Sequence, residues 1–311
     1  MSQNNKIQRT QFENVDFEPG GSESLSLARS HYYQDIGLLI DYEVTPGAGA
    51  EPVDNGILDL IEDIEVRING EKSVKSLGLA TNHNLNWYRD ASEPFADEVD
   101  WDDETEQTGT VQTDVNFLAA PGLYASLLPS FRYSTLDLRI KWANESDVAT
   151  EIDELSATMT VESRERLRST VNNGRPIDTG FFKENERRFQ LNATGTNTLE
   201  LPIGNRYHSI AVQILDENGE PTEDLVNGFK VVENGVETHA DTTFSHLRAD
   251  NFQDYNLERL ADGFAIFNYG LRADLDDVVD SSGMDQFELK LNTDGQAPNG
   301  AEVRVVTREL V

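Results

Sequence analysis

Residues 15–40 carry the sequence VDFEPGGSESLSLARSHYYQDIGLLI, and a shift of 174 positions places them on residues 189–214, FQLNATGTNTLELPIGNRYHSIAVQI. No gap is needed along the stretch, and apolar residues fall on apolar residues, for example Tyr33 on Tyr207 and Ile36 on Ile210. An internal repeat outweighs other patterns because it determines the architecture of the chain. A unit of this length is too long for a solenoid repeat, so the match indicates a duplicated domain.

Three further blocks match in the same order at shifts of 165, 151 and 144. In the first of them, Asn69-Gly70 falls on Asn234-Gly235, and Asn86-Trp87 falls on Asn251-Phe252. The other two place residues 136–140 on 287–291 and residues 159–165 on 303–309. The fixed order of the blocks predicts two equivalent domains, at 13–168 and 186–311. Residues 1–12 are then expected to be a flexible arm, and residues 169–185 a basic junction.

Apolar and polar residues alternate in about eight short runs of each copy, which is the period-2 signature of half-buried strands. The Asn-Gly pairs supply the positive φ angles of tight hairpin turns. Short strands separated by turn signals favour a sandwich or a barrel, and eight strands in two sheets form a jelly roll. We therefore predict an all-β chain of two tandem eight-stranded jelly rolls. Short helices are expected at residues 122–131 and 271–279.

The 57 acidic residues against 25 basic ones give a formal net charge of −32. Such a surface repels phosphates, so neither broad nor sequence-specific binding of nucleic acid is expected. The acid excess with few lysines favours a halophilic protein that stays hydrated in high salt; an ordinary acidic protein is the alternative. The chain has no cysteine, which excludes disulfides and thiolate chemistry. The first ten residues lack the apolar core of a secretory signal, and no apolar run approaches the roughly 18 residues of a membrane span.

No motif of an enzyme or of a metal centre occurs in the sequence. The five histidines do not have the spacing of metal ligands. The acidic insertion 93–106 offers Asp100, Asp102 and Asp103 to a divalent cation, but a solvated surface loop is favoured. The acidic run 274–280 lacks the glycine and glutamate of a calcium loop, so a solvated helix is favoured there. We predict no catalytic residue, no cofactor and no metal site.

Four aromatic residues stand at equivalent places in the two copies. Trp87 corresponds to Phe252, and Tyr33 corresponds to Tyr207. A ligand platform would not need to be duplicated in this way, so core packing is favoured for all four side chains.

The layout of two tandem jelly rolls, each with an apolar opening strand pair and an Asn-Gly hairpin, resembles a known family. It is similar to the double jelly-roll major capsid proteins of tailless icosahedral viruses, the lineage of adenovirus hexon and the membrane-containing phages. The second copy carries the resemblance best, in residues 199–215, 225–235, 287–291 and 303–310. The resemblance covers residues 13 to 311 and rests on layout, while the acidic insertion departs from it.

The resemblance implies a structural role without catalytic residues. Three copies would form a pseudo-hexagonal capsomer, and capsomers would tile a virion shell assembled in the host cytoplasm. Such shells usually enclose a membrane, which makes minor capsid or membrane proteins the expected further partners.

Basic residues concentrate in two segments of this acidic chain, and they suggest an inner face. The arm holds Lys6 and Arg9, and residues 164–188 hold seven bases against four acids. We predict contacts with lipid headgroups or minor proteins, since a base near an anionic surface contributes roughly 1 kcal/mol. The acidic insertion would then face outward. Pairing with acids of neighbouring subunits is an equal alternative. The candidate residues are Lys6, Arg9, Arg164, Arg166, Arg168, Arg175, Arg187 and Arg188.

Two other classes of protein share the jelly-roll fold, because fold alone does not determine function. A tandem surface module that binds carbohydrate or calcium would show a secretion signal or duplicated ligand residues. A carbohydrate-active enzyme would need an aromatic-lined cleft with two carboxylates, and the three tryptophans are few and dispersed. The capsid protein is therefore the leading hypothesis, and the binding module is the second.

Overall fold

The computed structural model describes residues 6–118, 126–167, 181–191, 195–269, 278–293 and 300–311. The chain divides into two compact units. Unit 1 comprises Met1–Asn86 and Glu93–Phe182, and unit 2 comprises Trp87–Ser92 and Lys183–Val311. Unit 2 thus includes a short segment from within the first copy, which the repeat in the sequence does not indicate.

Unit 1 consists almost entirely of β-strands. In its described part, three tight turns of 3-10 helix, Gly56–Asp59, Ser130–Arg132 and Glu145–Asp147, lie in the loops. One helix, α1, follows the fifth strand and spans Leu79–Asp90. The strands are β1 Lys6–Asp16, β2 Ser22–Ser26, β3 Tyr32–Pro46, β4 Ile61–Ile68, β5 Lys72–Leu77, β6 Gln107–Asn116, β7 Leu128–Pro129, β8 Leu136–Trp142 and β9 Ile152–Arg166.

The strands of unit 1 form two antiparallel sheets. The first has the order β1-β9-β3-β6, and the short β7 also pairs with β3. In the second, β4 lies between β5 and β8, and β2 ends the sheet beyond β8. Strands that are adjacent in each sheet are mostly distant in sequence, which is the connectivity of a jelly roll.

Unit 2 has the same construction. Its helix α2 spans Phe244–Asp254 and again follows the fifth strand of the unit. The strands are β10 Phe182–Gln190, β11 Gly195–Glu200, β12 Arg206–Leu215, β13 Val226–Glu233, β14 Glu237–Thr243, β15 Phe264–Asn268, β16 Val279–Asp280, β17 Phe287–Thr293 and β18 Glu302–Leu310.

The sheets of unit 2 repeat the strand order of unit 1. One sheet runs β11-β17-β13-β14, which matches β2-β8-β4-β5. In the other, β18 lies between β10 and β12, and β15 ends the sheet beyond β12, which matches β1-β9-β3-β6. The prediction of a tandem jelly-roll fold is therefore confirmed, and the repeat in the sequence corresponds to a repeated strand order. The described residues form nine strands in each unit, where eight were predicted.

Local sequence explains most of these strands. Along β3, the alternate residues Ile36, Leu38 and Ile40 are fully buried, while Gly37 between them is half-buried and Leu39 is exposed. This alternation places one face of the strand in the core. The Asn69-Gly70 turn has φ angles of 54° and 76°, and the Asn234-Gly235 turn has 47° and 70°. Both turns thus have the left-handed backbone that Asn-Gly pairs favour.

The equivalent tyrosines confirm the expected core packing. Tyr33 and Tyr207 are both fully buried. The Tyr33 hydroxyl donates to the carbonyl of Ala28 at 2.7 Å, and the Tyr207 hydroxyl donates to the carbonyl of Pro202. Each carbonyl lies five residues before its tyrosine, so the duplication has preserved this hydrogen bond.

The other aromatic pair behaves differently in the two copies. Trp87 is buried, but 44% of Phe252 is exposed, so the prediction of core packing is wrong for Phe252. Both residues lie on helices that the alternation of apolar residues did not reveal. In α1 the buried residues include Asn82 and Asn86, and buried polar residues hide the apolar stripe by which a helix is recognised.

The two observed helices, α1 and α2, do not coincide with the two predicted ones. Of residues 122–131, those described form the short β7 and a 3-10 turn, and residues 122–125 lie outside the described residues. Residues 271–277 of the second expected helix, and most of the acidic run 274–280, also lie outside them. Val279 begins β16.

The N-terminal arm is shorter than predicted, because residues 6–12 belong to β1. Lys6 pairs with Arg166 and Thr10 with Glu162 along β9. The sequence does not indicate this part of β1, because residues 6–14 are exposed or half-buried and are held by backbone pairing.

Candidate functional site

Four of the eight predicted basic residues meet at one end of the first sheet of unit 1. Lys6 and Arg9 lie at the start of β1, and Arg164 and Arg166 lie at the end of β9. The register pairs Lys6 with Arg166 and Arg9 with Ser163, so the four residues occupy neighbouring positions. We call this group the basic end of unit 1.

Two of the three arginines of the basic end, Arg9 and Arg164, have acidic partners within the same chain. Arg9 Nε lies 3.0 Å from Glu165 Oε1, and Arg164 Nε donates to Asp35 Oδ1 at 2.6 Å. Glu165 and Asp35 are buried, with exposed fractions of 0% and 1%. Burial lowers the pKa of Arg164, but Asp35 and Asp114 outweigh it, so that this pKa is raised. These arginines therefore stabilise unit 1 whatever else they contact.

Two further bases join this end through loops. β7 pairs with the start of β3, so the Ser130–Arg132 turn that follows β7 lies at the basic end. The guanidinium of Arg29 donates to the carbonyl of Tyr133 at 2.5 Å. The sequence did not single out Arg29 or Arg132, because only the pairing of distant strands brings them to the cluster.

Of the remaining four candidates, two belong to unit 2 and two lie outside the described residues. Arg187 and Arg188 lie within β10 of unit 2, where Arg188 Nε is 3.0 Å from Glu186 Oε1. Arg168 and Arg175 lie outside the described residues.

The opposite end of the same sheet is acidic. Val44 of β3 pairs with Gln107 of β6, and Pro46 pairs with Ile152 of β9, so three chain segments converge there. Residues 43–54, 97–107 and 147–154 contain three, seven and four acidic residues respectively, and no lysine or arginine. We call this group the acidic end. About nine residues of β3 separate the two ends, or roughly 30 Å at the rise of a strand.

The acidic insertion has a structural role at this end. Its residues 95–97 run along the outer edge of β6, where Gln112 N donates to Phe95 O at 2.8 Å and Asp97 N donates to Thr110 O at 3.0 Å. Residues 100–107 then form a turn in which the Gln107 amide donates to Asp100 O at 2.7 Å. The insertion thus covers an edge that would otherwise be open to pairing.

A close contact anchors the insertion to the sheet. The Tyr42 hydroxyl donates to Asp97 O at 2.9 Å, and the absence of a side chain at Gly109 leaves room for the Tyr42 ring over β6. Burial and the neighbouring Asp97 raise the pKa of Tyr42 to about 12. A cleft of about 410 Å³ opens here. Its lining residues are Asp41, Tyr42, Glu43, Asp97, Thr108, Gly109, Thr110, Ser156, Ala157 and Thr158.

The carboxylates of the insertion do not converge on a metal-binding position. Asp100 and Asp103 accept hydrogen bonds from backbone groups of their own turn, and Asp102 is exposed. Among the described residues, no three histidine, aspartate or glutamate side chains are grouped so as to hold a metal ion. In the same part of the chain, no helix is long and apolar enough to cross a membrane.

Equivalent buried asparagines join each helix to the neighbouring sheet. Asn86 Nδ2 donates to Asp114 O on β6 at 2.8 Å, and Asn251 Nδ2 donates to Ile266 O on β15 at 2.7 Å. Asp114 pairs with Gly37 and Ile266 with Ala211, two positions 174 apart, so the two hydrogen bonds are duplicates. Asn251 Oδ1 also accepts from Ile266 N at 2.7 Å.

Unit 2 contains one buried histidine, His208, on β12. Burial and the nearby Arg308 lower its pKa to about 3, against the opposing effect of Glu184. Arg308 in turn lies 2.9 Å from Glu184 Oε1. This cluster occupies the start of β12 and the end of β18, the same position as the basic end in unit 1.

Together the units define a double jelly-roll protein. No family model and no curated protein matches the chain, but solved structures do. The major capsid protein of Sulfolobus turreted icosahedral virus matches with a TM-score of 0.79 and 14% identity, over 98% of this chain and 96% of that chain. Major capsid protein P2 of bacteriophage PM2 matches with 0.63 and 14%, over 98% of both. The Faustovirus major capsid protein matches with 0.67 and 8%, over 98% and 90%. At these identities the comparison shows the fold.

Proposed function

We propose that this chain is the major capsid protein of an icosahedral virus, and that three copies form one pseudo-hexagonal capsomer of its shell. The observation that supports the proposal is the double jelly roll shared with viral major capsid proteins along nearly the full length of each pair of chains. Three copies supply six jelly rolls, which accounts for a hexagonal outline with threefold symmetry. The proposed role is structural, and no enzymatic activity is part of it.

The charge distribution of unit 1 suggests how the protein is oriented in the shell. The basic end gathers Lys6, Arg9, Arg164 and Arg166, and the acidic end gathers three segments without a base. We place the basic end on the inner surface and the acidic end on the outer one. In unit 2, residues 216–224 after β12 likewise hold five acids and no base.

The inner partners would be anionic headgroups of an internal membrane or minor proteins of the virion. Lys6 and Arg132 are exposed at the basic end and can reach such a surface. A K6Q/R132Q variant should bind anionic vesicles more weakly, while K230Q/K290Q, which loses the same charge in unit 2, should bind them as the parent does. Equal binding by all three proteins would exclude this role for the basic end.

A carbohydrate-binding surface module is the second candidate, and the cleft at Tyr42 is the observation that favours it. The cleft combines the carboxylates of Asp41, Glu43 and Asp97 with several hydroxyl groups, the groups that hydrogen-bond to sugars. Glycan binding by a protein that stays monomeric would favour this candidate over the capsid protein.

The mass of the purified protein in solution tests the leading proposal. Light scattering over a series from low to molar salt should give a particle of three times the 34.8 kDa chain. The trimer should persist or strengthen as salt rises, because salt screens the repulsion between chains of net charge −32. A monomer at every salt concentration would contradict the proposal.

A further inference from the structure

The strands that end a sheet expose backbone N–H and C=O groups, and proteins usually cover such edges or keep them short. Residues 95–97 cover the edge of β6. At the edge of β15, the Asn251 side chain bonds both the N–H and the C=O of Ile266, each at 2.7 Å. The end strands β2 and β11 are short, at five and six residues. Most edges of this protein are therefore protected.

Two end strands lack this protection. β1 is 11 residues long and ends its sheet beyond β9, and β14 is seven residues long and ends its sheet beyond β13. Within the described residues, no further strand pairs with either of them. Residues 6–14 of β1 are exposed or half-buried, and Thr238 and Asp241 of β14 are exposed. Among the residues that the structure describes, each unit thus has one such open edge.

We propose that β1 of one copy pairs edge to edge with β14 of a second copy, so that a β-sheet continues across the subunit boundary. This inference rests on the proposed capsomer and names its interface. Backbone pairing along β14 could involve all seven of its residues, and an added strand of this kind is a general mode of protein association.

The charges favour pairing of β1 with β14 over pairing of two β14 strands. Residues 6–12 of β1 contain two bases and no acid, whereas β14 contains two acids and no lysine or arginine. Pairing β14 with β14 would bring two acidic strands together, which destabilises neighbouring strands. β1 also holds Glu13 and Asp16 near its end, so charge does not oppose its self-pairing, which is disfavoured instead because it would not form a ring of three. Pairing β1 with β14 brings opposite charges together.

The geometry also agrees with a closed ring. A contact between two different surfaces is heterologous, and such contacts form rings when the rotation closes. Each copy offers one β1 and one β14, so every edge in a ring of three is used. Self-pairing of either strand would instead produce a twofold dimer.

Disulfide trapping can test the pairing directly, because the chain has no cysteine of its own. Facing residues of paired strands have Cα atoms about 4.5–5.5 Å apart, within the range that a disulfide spans. T10C on β1 would be combined in turn with T238C, D241C and T242C on β14, which samples both faces of that strand. The double variant T10C/S24C, with its second cysteine exposed on β2, is the matched control.

At least one of the three combinations should give a covalent trimer on a non-reducing gel, while the single variants and the control remain monomeric on the gel. Dimers of the T10C single variant would show self-pairing of β1 and overturn the inference. Trimers by light scattering without any cross-link between β1 and β14 would also overturn it, and would leave the proposed capsomer in place. Reduced proteins that are monomeric at every salt concentration would overturn both.

Discussion

Substitution of Gly109 by alanine should destabilise unit 1, although glycine-to-alanine changes in strands often stabilise. A Cβ atom at Gly109 would lie 2.3 Å from the Tyr42 hydroxyl oxygen and 2.4 Å from Cζ of the ring. Only 2% of Tyr42 is exposed, so the ring has little freedom to move aside. Displacing it would also break the hydrogen bond to Asp97 O that anchors the acidic insertion.

The expected magnitude follows from three contributions. Overpacking of a well-packed site costs about 1–3 kcal/mol, and loss of the hydrogen bond costs about 0.5–1.5 kcal/mol. Gly109 does not have a left-handed φ, so alanine can adopt its backbone conformation. Alanine also restricts the unfolded chain, which offsets the loss of stability by about 0.4–1 kcal/mol. Combining the extremes of these ranges, the net effect should be a loss of about 0.5–4 kcal/mol in the free energy of unfolding.

Urea unfolding in molar salt, followed by tryptophan fluorescence, would measure this loss. G283A is the control, because its new Cβ meets no atom within 4 Å, and it should be neutral or slightly stabilising. In a Y42L background the cost of G109A should fall by about 1 kcal/mol or more, since contacting residues are energetically coupled. A G109A protein as stable as the parent would refute the placement of Tyr42 over β6.

Three further predictions concern buried polar groups. N251A should lower the free energy of unfolding by about 2 kcal/mol, because two backbone groups of Ile266 lose their partner; unchanged urea unfolding would contradict the role of Asn251 at the β15 edge. R164M should cost about 3–5 kcal/mol, because Asp35 stays buried without this cation, and a stability equal to that of the parent would show that the ion pair is dispensable. In the folded protein the pKa of His208 is about 3, below its value in the unfolded chain. The stability that neutral His208 contributes is therefore fully present above pH ~6.5 and is lost as pH falls towards 3. H208Q should therefore lose about 2–3 kcal/mol less than the parent between pH 7 and 4.5; identical acid sensitivity in urea unfolding would exclude His208 as a contributor.

The parts of the fold that the sequence predicted are those with a local signal. The alternation along β3 and the Asn-Gly turns are properties of a few consecutive residues, and the duplication repeats them. The hydrogen bonds of Tyr33 and Tyr207 show that the shift of 174 aligns true structural equivalents. The two jelly rolls could therefore be predicted without any knowledge of strand pairing.

The helices and the first part of β1 could not be predicted because their stabilisation is not local. α1 buries Asn82 and Asn86, whose partners on β6 lie about thirty residues further along the chain, so its sequence lacks a clear apolar stripe. Residues 6–12 of β1 are held by backbone bonds to β9. Neither feature leaves a periodic pattern of apolar residues.

The basic residues show the same limit at the level of the candidate site. The sequence indicated that bases are concentrated in two segments, and the structure brings Lys6, Arg9, Arg164 and Arg166 together. It also gives Arg9 and Arg164 the buried partners Glu165 and Asp35 in the same chain. From the sequence alone we expect these bases to contact lipid or neighbouring subunits, and the sequence does not predict partners within the chain. Counts of charged residues do not show which acids are buried beside which bases.

Cryo-electron microscopy of the purified protein in molar salt tests the central claim most directly. The account predicts particles with threefold symmetry and a hexagonal outline, in which each subunit contributes two jelly rolls. A monomer, or an oligomer of any other symmetry, would contradict the assignment of this chain as a capsomer protein.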